Sequence, residues 1–139
     1  MDLRKITDGY SVSPQIEVAD VSAIAAQGFR TIMCNRPDGE EIGQCDVALI
    51  EAEARAAGLE FCWLPVTSAG VSPETLEGFR TALDTMPGPV LAYCRSGTRC
   101  TMLWTLNAFG TVPTQEIVAA TSAAGYDMSG VLAQLSRAG

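Results

Sequence analysis

Histidine is absent from this 139-residue sequence, and its absence excludes several mechanisms. Ser-His-Asp and Cys-His pairs need an imidazole as general base, and many metal sites need it as a ligand. Long apolar runs are also missing. No stretch approaches the ~20 residues that cross a bilayer, and the opening MDLRKITDGY has no apolar signal core. We therefore expect a cytoplasmic protein with no membrane partner, no metal and no organic cofactor.

Basic side chains are scarce. Nine Lys and Arg oppose 16 Asp and Glu, which gives a net charge of -7 and a pI near 4.4. Such a surface repels phosphates, so nucleic acid is not an expected partner and any anion site must be a local exception. The cysteines are odd in number and lack paired short spacing, so neither a disulfide framework nor a zinc ribbon is expected. They are Cys34, Cys45, Cys62, Cys94 and Cys100.

Apolar residues are abundant enough for a core: they make up 47% of the sequence, and the mean hydropathy is +0.18. At this length we expect one domain, residues 1–139. Short β-rich runs alternate with runs of helical spacing. The predicted strands are 10–13, 29–34, 59–65 and 89–93. The predicted helices begin near 18, 46 and 72, within a few residues after Cys94, and near 113 and 129. This alternation predicts an α/β fold of three layers, with a mostly parallel central sheet flanked by helices.

The segment PVLAYCRSGTRCTMLW, residues 89–104, is the most informative part of the sequence. An apolar run typical of a central strand ends at Cys94, and helical spacing resumes after Arg99. Ligands bind at the carboxyl ends of such strands, and a helix N-terminus attracts anions. We therefore predict that Arg99 offers a planar fork of donors to an oxyanion. The other residues of the predicted anion-binding loop are Arg95, Ser96, Gly97 and Thr98.

Cys94 is the candidate nucleophile of this loop. The helix N-terminus and the nearby arginines should lower its pKa and populate the thiolate. Gly97 can adopt a positive φ and leaves room for an anion. Cys100 is a candidate resolving thiol that accepts sulfur or forms a disulfide with Cys94, or else a small packed side chain. The structural alternative for the motif is a buried cysteine at a strand end.

A second polar segment, NRPDGEE, follows the predicted strand 29–34. Because the carboxyl ends of parallel strands meet at one edge of a sheet, Asn35, Arg36 and Asp38 are candidates for a second wall of the site. Pro-Asp-Gly is also strong turn chemistry, so a plain turn explains the same residues.

The cysteine loop resembles the loops of two superfamilies. Cysteine-dependent protein phosphatases carry Cys-x5-Arg, and rhodanese sulfurtransferases have a six-residue loop that often reads Cys-Arg-x-Gly-x-Arg. In this chain Arg99 follows Cys94 after four residues and the phosphatase position is Cys100, so the spacing is rhodanese-like.

The remaining segments resemble a small bacterial family, named for the phosphatase-like domain of β-lactamase-hydrolase-like proteins. The resemblance covers roughly residues 3 to 130 and implies a dual-specificity-phosphatase-like fold. The segments that carry it are SVSPQI, NRPDGEE, GLEFCWLPV, GPVLAYCRSGTR and GYDMSG.

Loop length and proton supply favour sulfur transfer through a Cys94 persulfide, with thiosulfate or another persulfide as the small donor. The leaving sulfite or thiolate needs no proton. Hydrolysis of a phosphoester through a Cys94 phosphocysteine is the alternative, and it needs a general acid. In phosphatases of this fold the acid is an aspartate on a neighbouring loop, yet PVTSAGVSP has no acidic residue, and Tyr93 replaces the histidine before the cysteine. Asp38, Glu40 or Glu41 of NRPDGEE could take the place of that acid if their loop closes over the site. A third hypothesis is noncatalytic binding of an anion or partner.

Overall fold

The computed structural model describes residues 1–138 and contains one five-stranded sheet. Its strands are β1 (Arg4–Thr7), β2 (Tyr10–Ser13), β3 (Thr31–Cys34), β4 (Glu60–Trp63) and β5 (Val90–Tyr93). They lie in the order β1-β2-β5-β3-β4, with β1 antiparallel to β2 and the other neighbours parallel. The predicted α/β class with a mostly parallel sheet is confirmed, and β5 is its central strand.

Six α-helices surround the sheet. They are α1 (Val21–Ala26), α2 (Val47–Ala56), α3 (Pro73–Thr85), α4 (Thr98–Ala108), α5 (Thr114–Ala123) and α6 (Ser129–Ala138). Helix α3 begins as predicted: the Ser72 hydroxyl accepts a hydrogen bond from the Thr75 amide at 3.1 Å, and Pro73 occupies the first helical position. Within residues 1–138, no helix is both long enough and apolar enough to span a bilayer.

The sheet separates two apolar cores, which confirms the three-layer prediction. Val90 and Ala92 of β5 belong to a core that also contains Phe79 of α3. The alternate residues of β5 belong to a core on the opposite side with residues of α1 and α2, because side chains along a strand point to opposite faces. Residues 90 to 93 are all buried, as expected for a strand covered by helices on both faces.

Strand β1 was not predicted from the sequence. Its segment, Arg-Lys-Ile-Thr, has one apolar residue, and Ile6 is its one buried side chain. An edge strand of this kind lacks the apolar alternation from which strands are predicted. It nevertheless carries Arg4, whose guanidinium carbon lies 5.2 Å from the centre of the Tyr126 ring, behind the cysteine loop.

Candidate active site

Three parallel strands end beside the cysteine loop. Cys94 directly follows the central strand β5, and its amide donates to the Ser13 carbonyl at the end of β2 at 3.3 Å. On the other side, the Asn35 amide after β3 donates to the Tyr93 carbonyl at 2.8 Å. Cys94 therefore lies where the sequence predicts, at the carboxyl end of the central strand between two neighbours.

The carbonyl groups of the loop point away from the Cys94 sulfur, toward donors outside it. The pairs are Arg95 O with Gln15 N (3.3 Å), Ser96 O with Tyr126 Oη (2.8 Å), and Gly97 O with Thr101 N (3.0 Å) and Thr101 Oγ1 (2.9 Å). Across a planar peptide the C=O and the next N–H point in opposite directions, so the loop amides turn inward. The Gly97 N–H donates to Cys94 Sγ at 3.0 Å. Together these bonds form a cradle of inward amides.

Cys94 is fully buried, and its pKa is lowered from 9.0 to about 5. The largest cause is a hydrogen bond from the Cys100 thiol. Amides of the loop add to the effect, and burial opposes it. Burial and the neighbouring sulfur raise the pKa of Cys100 well above its usual range, so Cys100 keeps its proton and remains a donor. The lowered pKa of Cys94 agrees in direction with the prediction, although hydrogen bonding by Cys100 contributes more to it than the arginines do.

Alkylation of Cys94 by a small haloacetamide should therefore follow a titration with its midpoint near pH 5. We expect Cys100→Ala to move that midpoint upward, because the thiolate loses a hydrogen-bond donor. Cys100→Ser, which keeps a donor, should stay closer to the native midpoint. The measurement is the rate of alkylation at Cys94, located by peptide mass, between about pH 4 and pH 9. An unchanged midpoint in Cys100→Ala would show that the loop amides alone hold the thiolate.

Arg99, at the first turn of α4, is held by an ion pair. Its Nη1 donates to Glu40 Oε2 at 2.7 Å and to the Val66 carbonyl at 2.7 Å, and its Nη2 donates to Glu40 Oε1 at 2.8 Å. Arg95 points outward: its side chain is 68% exposed and its Nη2 lies 3.7 Å from Glu41. The two arginines of the loop thus occupy different environments. Arg99 alone is fixed by short hydrogen bonds.

The predicted second wall is brought to the site only in part. Arg36 lies there and is buried, with its side chain 2% exposed. Asn35 is also buried, and its Nδ2 donates to the Leu64 carbonyl at 2.9 Å, which ties β3 to the segment after β4. The prediction for Asp38 is not supported, because its Oδ1 accepts from the Val47 amide at 2.9 Å and so caps α2.

Glu40, a candidate general acid, contacts the site, as do Gln15 and Tyr126, which were not among the predicted site residues. Gln15 Oε1 accepts a hydrogen bond from Arg36 Nη1 at 2.9 Å. All three residues lie in segments that carry the family resemblance, SVSPQI, NRPDGEE and GYDMSG. For Gln15 and Tyr126 that resemblance was the one signal in the sequence, whereas Glu40 was also indicated as a carboxylate able to serve as an acid.

An open cleft of about 420 Å³ lies beside the loop and is lined by Glu40, Ser68, Arg95 and Arg99. Glu40 is the one carboxylate among these lining residues. Arg99, followed by Arg36, lowers its pKa to about 2, so it is ionised at neutral pH. The cleft thus presents one ionised carboxylate and no carboxylic acid ready to donate a proton.

Comparison with known proteins gives a family match over most of the chain. Residues 2–111 match the family described as the phosphatase-like domain of beta-lactamase hydrolase-like protein. A beta-lactamase hydrolase-like protein of Xylella fastidiosa is 32% identical over 139 residues, which cover 99% of this chain and 32% of that protein. The chain therefore spans about a third of the length of this relative.

Two solved structures show the similarity of fold. A candidate phosphatase from Neisseria meningitidis is 38% identical, with a TM-score of 0.87, and the match covers 100% of this chain and 99% of that chain. Tk-PTP in its active form is 13% identical, with a TM-score of 0.67 over 99% of this chain and 95% of that chain, a likeness of fold alone. These similarities support a cysteine-based, phosphatase-like enzyme better than they support sulfur transfer.

Proposed function

Because the chain belongs to the family of phosphatase-like domains of beta-lactamase hydrolase-like proteins, we propose that it is a phosphatase with Cys94 as nucleophile. The observation that carries this proposal is the Cys94 sulfur, which lies at the end of β5, accepts a hydrogen bond from the Gly97 amide and has a pKa of about 5. The thiolate is the nucleophile, and the inward amides around it are donors for the oxygens of a phosphoryl group.

The proposed reaction has two displacements at phosphorus. The Cys94 thiolate attacks, the S–P bond forms, and the P–O bond to the leaving group breaks with its electron pair remaining on oxygen. Loop amides and Arg99 hold the nonbridging oxygens. Water then attacks the phosphocysteine, the S–P bond breaks, and inorganic phosphate leaves while the thiolate is restored.

The preferred substrates follow from the poor supply of protons. Glu40 is ionised, and the segment from Pro65 to Pro73 contains no Asp or Glu. An alkoxide leaving group needs a general acid, whereas a phenolate is stable enough to depart without one. We therefore expect aryl phosphates to be hydrolysed much faster than alkyl phosphates.

Sulfur transfer is the second candidate, and the short loop is the observation that favours it. One residue fewer than Cys-x5-Arg removes roughly 3.5 Å of chain, which suits a small persulfide better than a phosphoryl group. In that reaction the thiolate attacks the sulfane sulfur of thiosulfate, the new S–S bond forms, and sulfite leaves with the electron pair. No proton is required.

Intact mass after rapid acid quench separates these candidates. An aryl phosphate should leave an adduct of about 80 Da for phosphocysteine, whereas thiosulfate would leave about 32 Da for a persulfide. The first adduct, at Cys94 and unaffected in a Cys45→Ser control, supports the phosphatase. The second adduct alone would transfer the assignment to sulfur transfer. Neither adduct, together with no turnover, would leave noncatalytic binding of an anion or partner.

A further inference from the structure

The hydrogen bonds of Arg99 leave one edge of its guanidinium group available. A guanidinium has five N–H donors, and three of them are used: two on Nη1, toward Glu40 and Val66, and one on Nη2, toward Glu40. Among the hydrogen bonds of residues 1–138, none uses the Nε–H or the second N–H of Nη2. These two donors lie side by side, because Nη2 is the terminal nitrogen on the Nε–H edge.

Glu40 occupies the end of the guanidinium and not this edge. Its two oxygens bind the two terminal nitrogens, at 2.7 and 2.8 Å, which is the end-on form of a bidentate pair. The Val66 carbonyl takes the remaining N–H of Nη1. Arg99 is thus fixed from two sides, and its free pair of parallel donors matches two oxygens of a tetrahedral oxyanion.

Glu40 is itself fixed by a second arginine. Its Oε1 also accepts from Arg36 Nε at 2.9 Å. The side chain of Arg36 is 2% exposed, and its other nitrogens donate to Gln15 at 2.9 Å and to Glu41 at 2.8 Å. A buried arginine with a hydrogen bond from each of its three nitrogens has little freedom to move. The bridge Arg36–Glu40–Arg99 therefore connects the guanidinium group of Arg99 to the interior.

We propose that Glu40 is a positioning residue, which holds the end of Arg99 so that its free edge is ready for a bound oxyanion. This inference rests on the proposed function, because that function identifies the oxyanion as a phosphoryl group or a mimic of one. It is distinct from a role for Glu40 as proton donor. It is also the opposite of an internal inhibitor, in which the carboxylate would compete with the anion for Arg99.

Tungstate, a tetrahedral oxyanion that is not turned over, is the probe for this proposal. Its Kd should be measured by calorimetry for the wild type, Glu40→Gln, Arg99→Ala and the double variant, together with kcat and KM for an aryl phosphate. Glu51→Gln is the matched control, since Glu51 also pairs with an arginine, Arg55, but lies on α2 and has no hydrogen bond to Arg36 or Arg99. Melting curves show whether each variant remains folded.

We expect Glu40→Gln to weaken tungstate binding by about tenfold or more, and Glu51→Gln by less than about threefold. In the Arg99→Ala background, Glu40→Gln should add less than about twofold, because its effect passes through Arg99. Equal or tighter tungstate binding by folded Glu40→Gln would overturn the proposal.

Because tungstate binding needs no turnover, failure of this inference can be distinguished from failure of the proposed function. If Glu40→Gln weakens tungstate binding as expected but the wild type hydrolyses no phosphoester, the phosphatase is refuted and the positioning role stands. If the wild type hydrolyses phosphoesters but Glu40→Gln binds tungstate as tightly as the wild type, the positioning role alone is refuted. A wild type that neither binds tungstate nor hydrolyses phosphoesters refutes both.

Discussion

Replacing Cys94 by serine should reduce aryl phosphatase turnover by about 10⁴-fold or more, the largest effect expected of any single substitution in this chain. The thiolate is available at neutral pH because the pKa of Cys94 is about 5. A serine hydroxyl in the same place stays protonated, since no histidine exists in the sequence to act as its base. Steady-state kinetics on an aryl phosphate measure the loss.

Tungstate binding is the control for the Cys94→Ser variant. Serine is close to cysteine in size and leaves the loop amides in place, so the variant should bind tungstate as well as the wild type or better, because a negative charge is removed. Cys62→Ser, a substitution at a half-buried cysteine outside the loop, should keep full turnover. Retained hydrolysis by Cys94→Ser would show that another group attacks phosphorus.

Gly97→Ala should cause the second large loss, in both stability and activity. Gly97 has φ of 90°, and a Cβ at this position would collide with the Tyr126 hydroxyl and lie 3.0 Å from Tyr126 Cζ. The left-handed backbone alone costs about 1–2 kcal/mol, and displacement of Tyr126 breaks its 2.8 Å hydrogen bond to the Ser96 carbonyl. We expect the free energy of unfolding to fall by about 2–4 kcal/mol and kcat/KM by about 100-fold.

Gly110→Ala is the matched control for backbone strain. Gly110 has φ of 94° and no atom within 4 Å of an added Cβ, so it shares the strain without the collision. Its kcat/KM should be unchanged. Adding Tyr126→Phe to Gly97→Ala removes the colliding oxygen and should restore part of the stability, measured by denaturant unfolding. Equal losses of stability and activity in the two alanine variants would contradict a steric role for Tyr126.

The fold was largely predictable because its signals are local. Helix α3 is marked by Ser72 and Pro73 at its start, and β5 by a run of apolar residues that only a strand covered on both faces would have. The placement of Cys94 follows from that strand. Strand β1 was missed because a polar edge strand is defined by its partner β2 rather than by its own composition.

The chemistry around Cys94 was predictable only in direction. Cysteine, glycine and arginine between a strand and a helix N-terminus predict an anion site and a lowered pKa. The sequence does not say which groups lower it, since hydrogen bonding by Cys100 depends on the turn of the loop. The length of the loop favoured sulfur transfer. The similarity of the whole chain to phosphatase-like folds favoured the alternative.

The sequence by itself determined the alternation of strands and helices, the sulfur at the end of the central strand, and the exclusion of histidine-dependent mechanisms. The tertiary structure alone decided the hydrogen-bond partners of the charged and polar side chains. Glu40 and Arg99 are 59 residues apart, and Tyr126 and Ser96 are 30 residues apart. Asp38 caps a helix while Glu40, two residues later, bridges two arginines. The spacing of apolar residues predicts which side of a single helix or strand is buried. Ion pairs between loops depend instead on how separate elements pack against one another.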